Sequence, residues 1–197
     1  MRAGILANRA MTRNRGRCQG YTLVEMLIVV TIITLVATLA LPSLSTGDTT
    51  KIDLAAKEVA TAIRFARSEA LRTGEGHGLT VSQATQQVTV ERYDLTTAPI
   101  STLYTLTHPI NKHPYDFNVN TNAGTKGVTI SNSEDVFDYT DLGRRRSLVF
   151  DGSGTPKWIV GAGPTTYLLS DGTIELTYGN LQRRVSVSPI TGRVTVQ

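Results

Sequence analysis

GYTLVEMLIVVTIITLVATLALPSL, residues 20–44, is an apolar run broken by a single charge, Glu25, near its start. About 20 helical residues cross the hydrocarbon core of a bilayer, so the stretch from Tyr21 to Leu44 is long enough to span one. Ahead of it, residues 1–20 carry Arg2, Arg9, Arg13, Arg15 and Arg17 and no acid. Arginines so placed stay cytoplasmic and direct the rest of the chain to the other side of the membrane. A secretory signal would end in a small-residue cleavage site, and none follows the run, so the apolar segment is expected to remain as an anchor.

Glu25 is the feature an ordinary anchor does not need. A carboxylate at membrane depth costs a few kcal/mol, which makes it a functional candidate by default. Two accounts are open. The side chain can snorkel to the headgroup boundary, or it can wait for a cation. A cut after Gly20 would make Tyr21 the N-terminus, one helical turn from Glu25. The new α-amino group could then pair with this Glu25 or with that of a neighbouring copy, and such a pair would set the register between subunits.

Gly20-Tyr21-Thr22-Leu23-Val24-Glu25, preceded by the basic leader and followed by the apolar run, resembles the processing signal of type IV pilins and type II secretion pseudopilins. The resemblance implies that a prepilin peptidase cleaves between Gly20 and Tyr21 and methylates the Tyr21 amine. It also implies that Glu25 pairs with a neighbour's N-terminus during assembly. The family's usual first mature residue is Phe; Tyr21 is a mild departure.

The remaining composition narrows the function. The sequence pI of about 9.4 comes from the leader; residues 21–197 hold 15 basic side chains against 16 acidic ones, so no polyanion partner follows from net charge. Cys18 is the only cysteine, which excludes an internal disulfide.

Pro42 is expected to kink a helix that resumes beyond it. Ile52, Ala55, Val59, Ile63, Ala66 and Ala70 recur at spacings of three and four, with charges mostly elsewhere, and Gly74 and Gly76 end the pattern. One helix over residues 22–72 would be roughly 75 Å long at 1.5 Å per residue. Its second half is expected to pack on a core. Short β-like runs follow at 78–81, 87–93, 103–106, 127–131, 147–150, 157–160, 165–169, 173–178, 184–187 and 193–197. Turn signals separate them at Asp151-Gly152, Gly161-Ala162-Gly163-Pro164, Asp171-Gly172, Gly179-Asn180 and Thr191-Gly192. The expected fold is α+β: a long N-terminal helix on an antiparallel β-sheet or sandwich. The expected divisions are a leader at 1–20, a membrane or filament-core helix at 21–44, its amphipathic continuation at 45–73, and a periplasmic β-rich domain at 74–197. Residues 107–126 and 132–146 read as long loops.

Three further segments resemble minor pseudopilins of the GspH/FimT type. They are Phe65-Ala66-Arg67-Ser68-Glu69-Ala70 near the helix end, Phe150-Asp151-Gly152-Ser153-Gly154, and the closing 185–194 stretch through Thr191-Gly192-Arg193-Val194. The resemblance implies a subunit that helps initiate or cap a pseudopilus. Its partners would be other pseudopilins, the prepilin peptidase, the inner membrane and secreted substrates.

Little else suggests chemistry. His108 and His113 sit in a proline-broken loop rather than on a helix face, and no metal-ligand spacing accompanies them. Glu134, Asp135, Asp138 and Asp141 are loop acids without the EF-hand spacing, so calcium is weaker than a solvated loop. No nucleophile and base are nominated, and no cofactor is called for. Arg144, Arg145 and Arg146 on a loop could grip phosphates, or answer Asp138 and Asp141. Some FimT-like relatives bind DNA through arginines in a G-R-x-R tail; here the tail reads Gly192-Arg193-Val194-Thr195, without the second arginine. DNA capture through Arg144–Arg146 and Arg193 is therefore the alternative to the secretion reading.

Overall fold

The computed structural model describes residues 21–40, 46–97, 100–132, 135–159 and 166–197. The chain forms two compact units, Met1–Ser43 and Leu44–Gln197. The leader with Gly20 and Cys18, the expected kink at Pro42, Glu134 and the 161–164 turn lie outside the described residues.

The first unit contributes α1, Leu23–Ala40. Its sequence is apolar on all sides, the pattern of a helix that something else must cover. Every described side chain from Tyr21 to Val36 is exposed. The Thr31 hydroxyl donates to the Leu27 and Ile28 carbonyls at 2.9 and 2.8 Å, and Thr34 donates to Val30 at 2.7 Å. The two hydroxyls are thereby folded back onto the backbone of an otherwise greasy surface. Among the described residues no helix is long and apolar enough to cross a membrane; residues 41–44 of the apolar run fall outside that set.

The second unit is built on α2, Thr46–Thr73. All six residues of the expected apolar stripe are buried, joined by Ala56, Ala60 and Ala62. So many alanines let the helix backbone come close to whatever it packs on, and here α2 touches strands of two sheets. Gly74 ends the helix: its φ is +75°, and its N–H reaches the Ala70 carbonyl at 2.9 Å, the left-handed cap that glycine supplies best. Gly76, expected to share this role, instead opens the first strand.

The strands are β1 (Gly76–Ser82), β2 (Gln87–Asp94), β3 (Ser101–Thr105), β4 (Asp116–Asn118), β5 (Thr129–Ile130), β6 (Phe137–Tyr139), β7 (Gly143–Arg145), β8 (Ser147–Phe150), β9 (Lys157–Ile159), β10 (Thr166–Tyr178), β11 (Leu181–Val187) and β12 (Val194–Val196). One sheet has the order β3-β2-β1-β8, with β4 also on β2. The other has the order β12-β11-β10-β6-β7, with β5 and β9 also on β10. Every pairing is antiparallel, as expected for an α+β fold of hairpins. The shared core includes Leu79, Val88 and Val90 from the first sheet, Ile174, Leu176 and Val185 from the second, and the α2 stripe between them.

Three expectations are corrected. The stretches 107–126 and 132–146 are not wholly loop: the first holds β4 and the second holds β6 and β7. Asp171-Gly172 is not a turn. It lies inside β10, which runs unbroken where two strands were expected, with a register shift against β6 between Leu169 and Asp171. Gly172 is buried there, a Cβ meeting Leu169 Cδ2 at 3.0 Å, and pairing of Asp171 with Asp138 and of Gly172 with Phe137 overrides the turn composition. Finally, Arg144 and Arg145 are strand residues of β7 rather than loop residues, fixed by pairing with β6.

At the junction of α2 and β1, His77 is 2% exposed, with Nδ1 3.2 Å from the Glu75 carbonyl and 3.4 Å from the Thr73 hydroxyl. Burial pushes its pKa below the ordinary value, outweighing the Glu75 carbonyl and the Glu69 charge, which pull it up. The unfolded chain therefore takes up this proton first. The stability His77 contributes is fully present above about pH 6.5 and is lost as pH falls from there through the folded-state value. A lower urea midpoint at pH 5.5 than at pH 7.5 is expected, with a smaller difference in His77→Gln; an equal difference in the variant would exclude His77 as the source.

Candidate assembly and interaction sites

At the start of α1, Thr22 is the N-cap. Its hydroxyl accepts the Glu25 N–H at 3.2 Å, and its carbonyl accepts the Met26 N–H at 3.2 Å. Thr22-x-x-Glu25 thus has the spacing of a capping box, a helix-start signal legible in the sequence itself. Glu25 is exposed and stands in the first turn, where the helix dipole favours a negative charge. Tyr21, 75% exposed, precedes the helix. The carboxylate is therefore presented outward, one turn from where a new N-terminus would begin.

The three segments singled out near the helix end, at 150–154 and at 191–194 are brought together. Arg67 of α2 donates from Nε to the Gly154 carbonyl at 3.0 Å, and Arg64 donates from Nη2 to the Val194 carbonyl at 3.2 Å. Gly192, at φ +63°, packs so closely that a Cβ would lie 2.9 Å from the Phe150 ring, 3.0 Å from Arg67 Nε and 3.0 Å from the Gly154 oxygen. The 151–154 turn is held from within. Asp151 Oδ1 accepts the Ser153 and Thr155 N–H groups at 3.0 Å each, and Oδ2 accepts Lys157 Nζ at 2.7 Å. Burial raises the Asp151 pKa, but these bonds outweigh it and hold the carboxyl below the ordinary carboxylate value. The pattern fastens both segments to α2, Arg67 holding the 151–154 turn and Arg64 the C-terminal hairpin.

The arginines proposed for nucleic acid are divided. Arg144 and Arg145 lie in β7 at one end of the second sheet's strand order, and Arg193 precedes β12 at the other end. Arg144 is the cross-strand partner of Asp138, and Arg146 Nε lies 3.9 Å from Asp135 Oδ1, an exposed pair worth little. The second basic pair is also engaged: Arg183 meets Asp53 at 2.6 Å, and Arg184 meets Glu175 at 2.9 Å. Arg193 instead shares a cleft of about 580 Å³ with Arg64 and Arg67, and among the described residues no acid lines it.

His108 and His113 close a turn, the His108 N–H donating to the His113 carbonyl at 2.8 Å. The His108 ring stands edge-on to Tyr115 with centroids 4.4 Å apart, and its Nδ1 accepts the Ile110 N–H at 3.2 Å. Among the described residues no group of three His, Cys, Asp or Glu side chains could hold a metal ion.

Residues 15–41 match the prokaryotic N-terminal methylation motif, and residues 55–192 match the family model described as type II transport protein GspH. No curated protein matches the chain. Two crystal structures of the Pseudomonas aeruginosa (strain PAO1) type IV minor pilin FimU are similar. One is 16% identical, with a TM-score of 0.41, over 74% of this chain and 87% of that one. The other is 17% identical, with a TM-score of 0.39, over 74% and 91%.

Proposed function

The chain belongs to the type II transport protein GspH family, and we propose from that premise that it is a minor pseudopilin, a structural subunit that helps initiate or cap the periplasmic pseudopilus of a type II secretion system. The observation that carries the reading is α1: apolar all round, exposed along its described length, and bearing one outward carboxylate in its first turn. Such a surface needs lipid or other helices around it. In this reading the peptidase cuts between Gly20 and Tyr21, and the Tyr21 amine is methylated. Residues 21–44 hold the chain in the inner membrane until assembly, the 74–197 domain stands in the periplasm, and Glu25 meets a neighbour's N-terminus. The fold is used as a rigid body on a helix, with no catalytic step.

The test is secretion by a strain lacking the protein, read as exported enzymes in the medium against enzymes trapped in the periplasm. Trapping that the intact gene relieves and Gly20→Ala does not is expected, together with a membrane form whose mass begins at methylated Tyr21. An intact leader would defeat the processing step, and unchanged secretion would defeat the secretion role.

The alternative, a FimT-like minor pilin that binds DNA, is favoured by one observation: Arg193 faces the same acid-free cleft as Arg64 and Arg67. The cluster proposed at Arg144–Arg146 has carboxylates opposite it and is the weaker place to look. A salt-dependent gel shift lost in Arg193→Ala would support this alternative.

A further inference from the structure

Between α2 and the 107–125 segment lies a cavity of about 730 Å³, within the size range of sites that hold organic ligands. Gly124 lets the segment come against the helix, since a Cβ there would meet Leu54 Cδ2 at 2.6 Å. Glu58 lines the cavity from α2. It accepts one hydrogen bond, from Asn122 Nδ2 at 3.2 Å, and no described cation pairs with it. Burial raises its pKa against that bond, the mark of a carboxylate short of a counter-charge. Thr125 lines the same cavity, but its hydroxyl is buried and has no partner among the described residues.

Other charges do not supply what Glu58 lacks. Lys57, the preceding residue on α2, lines the same cavity but forms no ion pair with Glu58 and has no part in its pKa shift. Asp116 adds a second negative charge, its Oδ2 accepting Gln87 Nε2 at 2.9 Å. His108 uses Nδ1 as an acceptor. An inorganic cation is poorly served, since no metal-capable group of three exists among the described residues. The wall includes two aromatic rings, Tyr115 and Phe117, with centroids 6.3 Å apart, and Phe65 packs on Tyr115 from outside the lining at 5.3 Å. A carboxylate beside aromatic faces suits an organic cation with an aliphatic stem.

We propose that this cavity receives a lysine or arginine side chain presented by a partner polypeptide. Glu58 is the counter-charge, and the Tyr115 and Phe117 rings are the wall for the stem. The site is independent of which filament the chain serves.

The full-length chain in detergent micelles is titrated with acetyl-Gly-X-Gly-amide peptides, where X is lysine, arginine or norleucine, and the amide resonances of Asn122, Gly124 and Thr125 are followed. Saturable shifts with the lysine or arginine peptide are expected. The Kd should be at least about 10-fold weaker for norleucine, which keeps the stem and loses the charge, and equally weakened for lysine in Glu58→Gln. Norleucine binding as tightly as lysine would overturn the proposal, as would Glu58→Gln binding unchanged or an absence of saturable shifts with every peptide. The titration reads the cavity alone, so such a result leaves the pseudopilin reading standing.

Discussion

Gly78→Ala is expected to destabilise the Leu44–Gln197 unit by roughly 3 kcal/mol or more, lowering its melting temperature by about 6–12 °C or preventing folding. Gly78 is central in β1, between Glu91 of β2 and Val149 of β8. A Cβ there would lie 2.0 Å from the Leu148 carbonyl oxygen and 2.9 Å from Val149 Cα. Both obstacles are backbone of the adjacent strand, so no rotamer change relieves them, and relief requires β8 to leave β1. That movement would also expose Leu148 and Phe150, both fully buried. Gly47→Ala is the control: it lies in α2 with open space around it, and alanine there is expected to be neutral or to stabilise slightly. Thermal unfolding of the two variants side by side checks the claim. A Gly78→Ala protein within about 1 kcal/mol of the parent would mean that the β1–β8 approach is looser than described.

The same close approach shows what the sequence could and could not disclose. The α2 stripe was legible because its period is local: Ile52 to Ala70 need only each other to mark a face. The β10–β11 hairpin was legible because Gly179-Asn180 is a two-residue turn between runs of alternating pattern, and it pairs Tyr178 with Leu181. β4, β6 and β7 were not. Each is only three residues long, too short to show a period, and each is a strand because a neighbour lies beside it: β2 for β4, β10 for β6 and β6 for β7. Asp171-Gly172 carries a turn signature, yet pairing with Asp138 and Phe137 of β6 holds it in a strand. The fastening around Arg67 is a contact between segments distant in sequence. Their resemblance to a family marked them without revealing that they touch. Glu58 and Thr125 are likewise unremarkable until folding puts them in one cavity. Glu25 stood out at once, because a lone charge in an apolar run is visible without any tertiary information.

Glu25→Ala is expected to leave α1 and membrane insertion intact while lowering incorporation into the filament on the order of 100-fold. The helix start does not depend on the carboxylate. Thr22 caps α1 through the backbone N–H of residue 25, which alanine retains, and alanine favours helix more than glutamate does. The dipole interaction that would be lost is worth about 0.3–1 kcal/mol, too little to abolish assembly. A neighbour's α-amino group left without its carboxylate in apolar surroundings is a different matter, costing about 3 kcal/mol or more per contact, a factor on the order of 100. Glu25→Gln isolates the charge, because it keeps the size and polarity of the side chain and removes nothing else. Co-purification with the other subunits, scored against the amount of each variant in the membrane fraction, is the measurement. Normal incorporation of the glutamine variant would refute charge pairing as the register device. Failure of both variants, with Thr22→Val assembling normally, would show that the carboxylate acts between subunits rather than within its own helix.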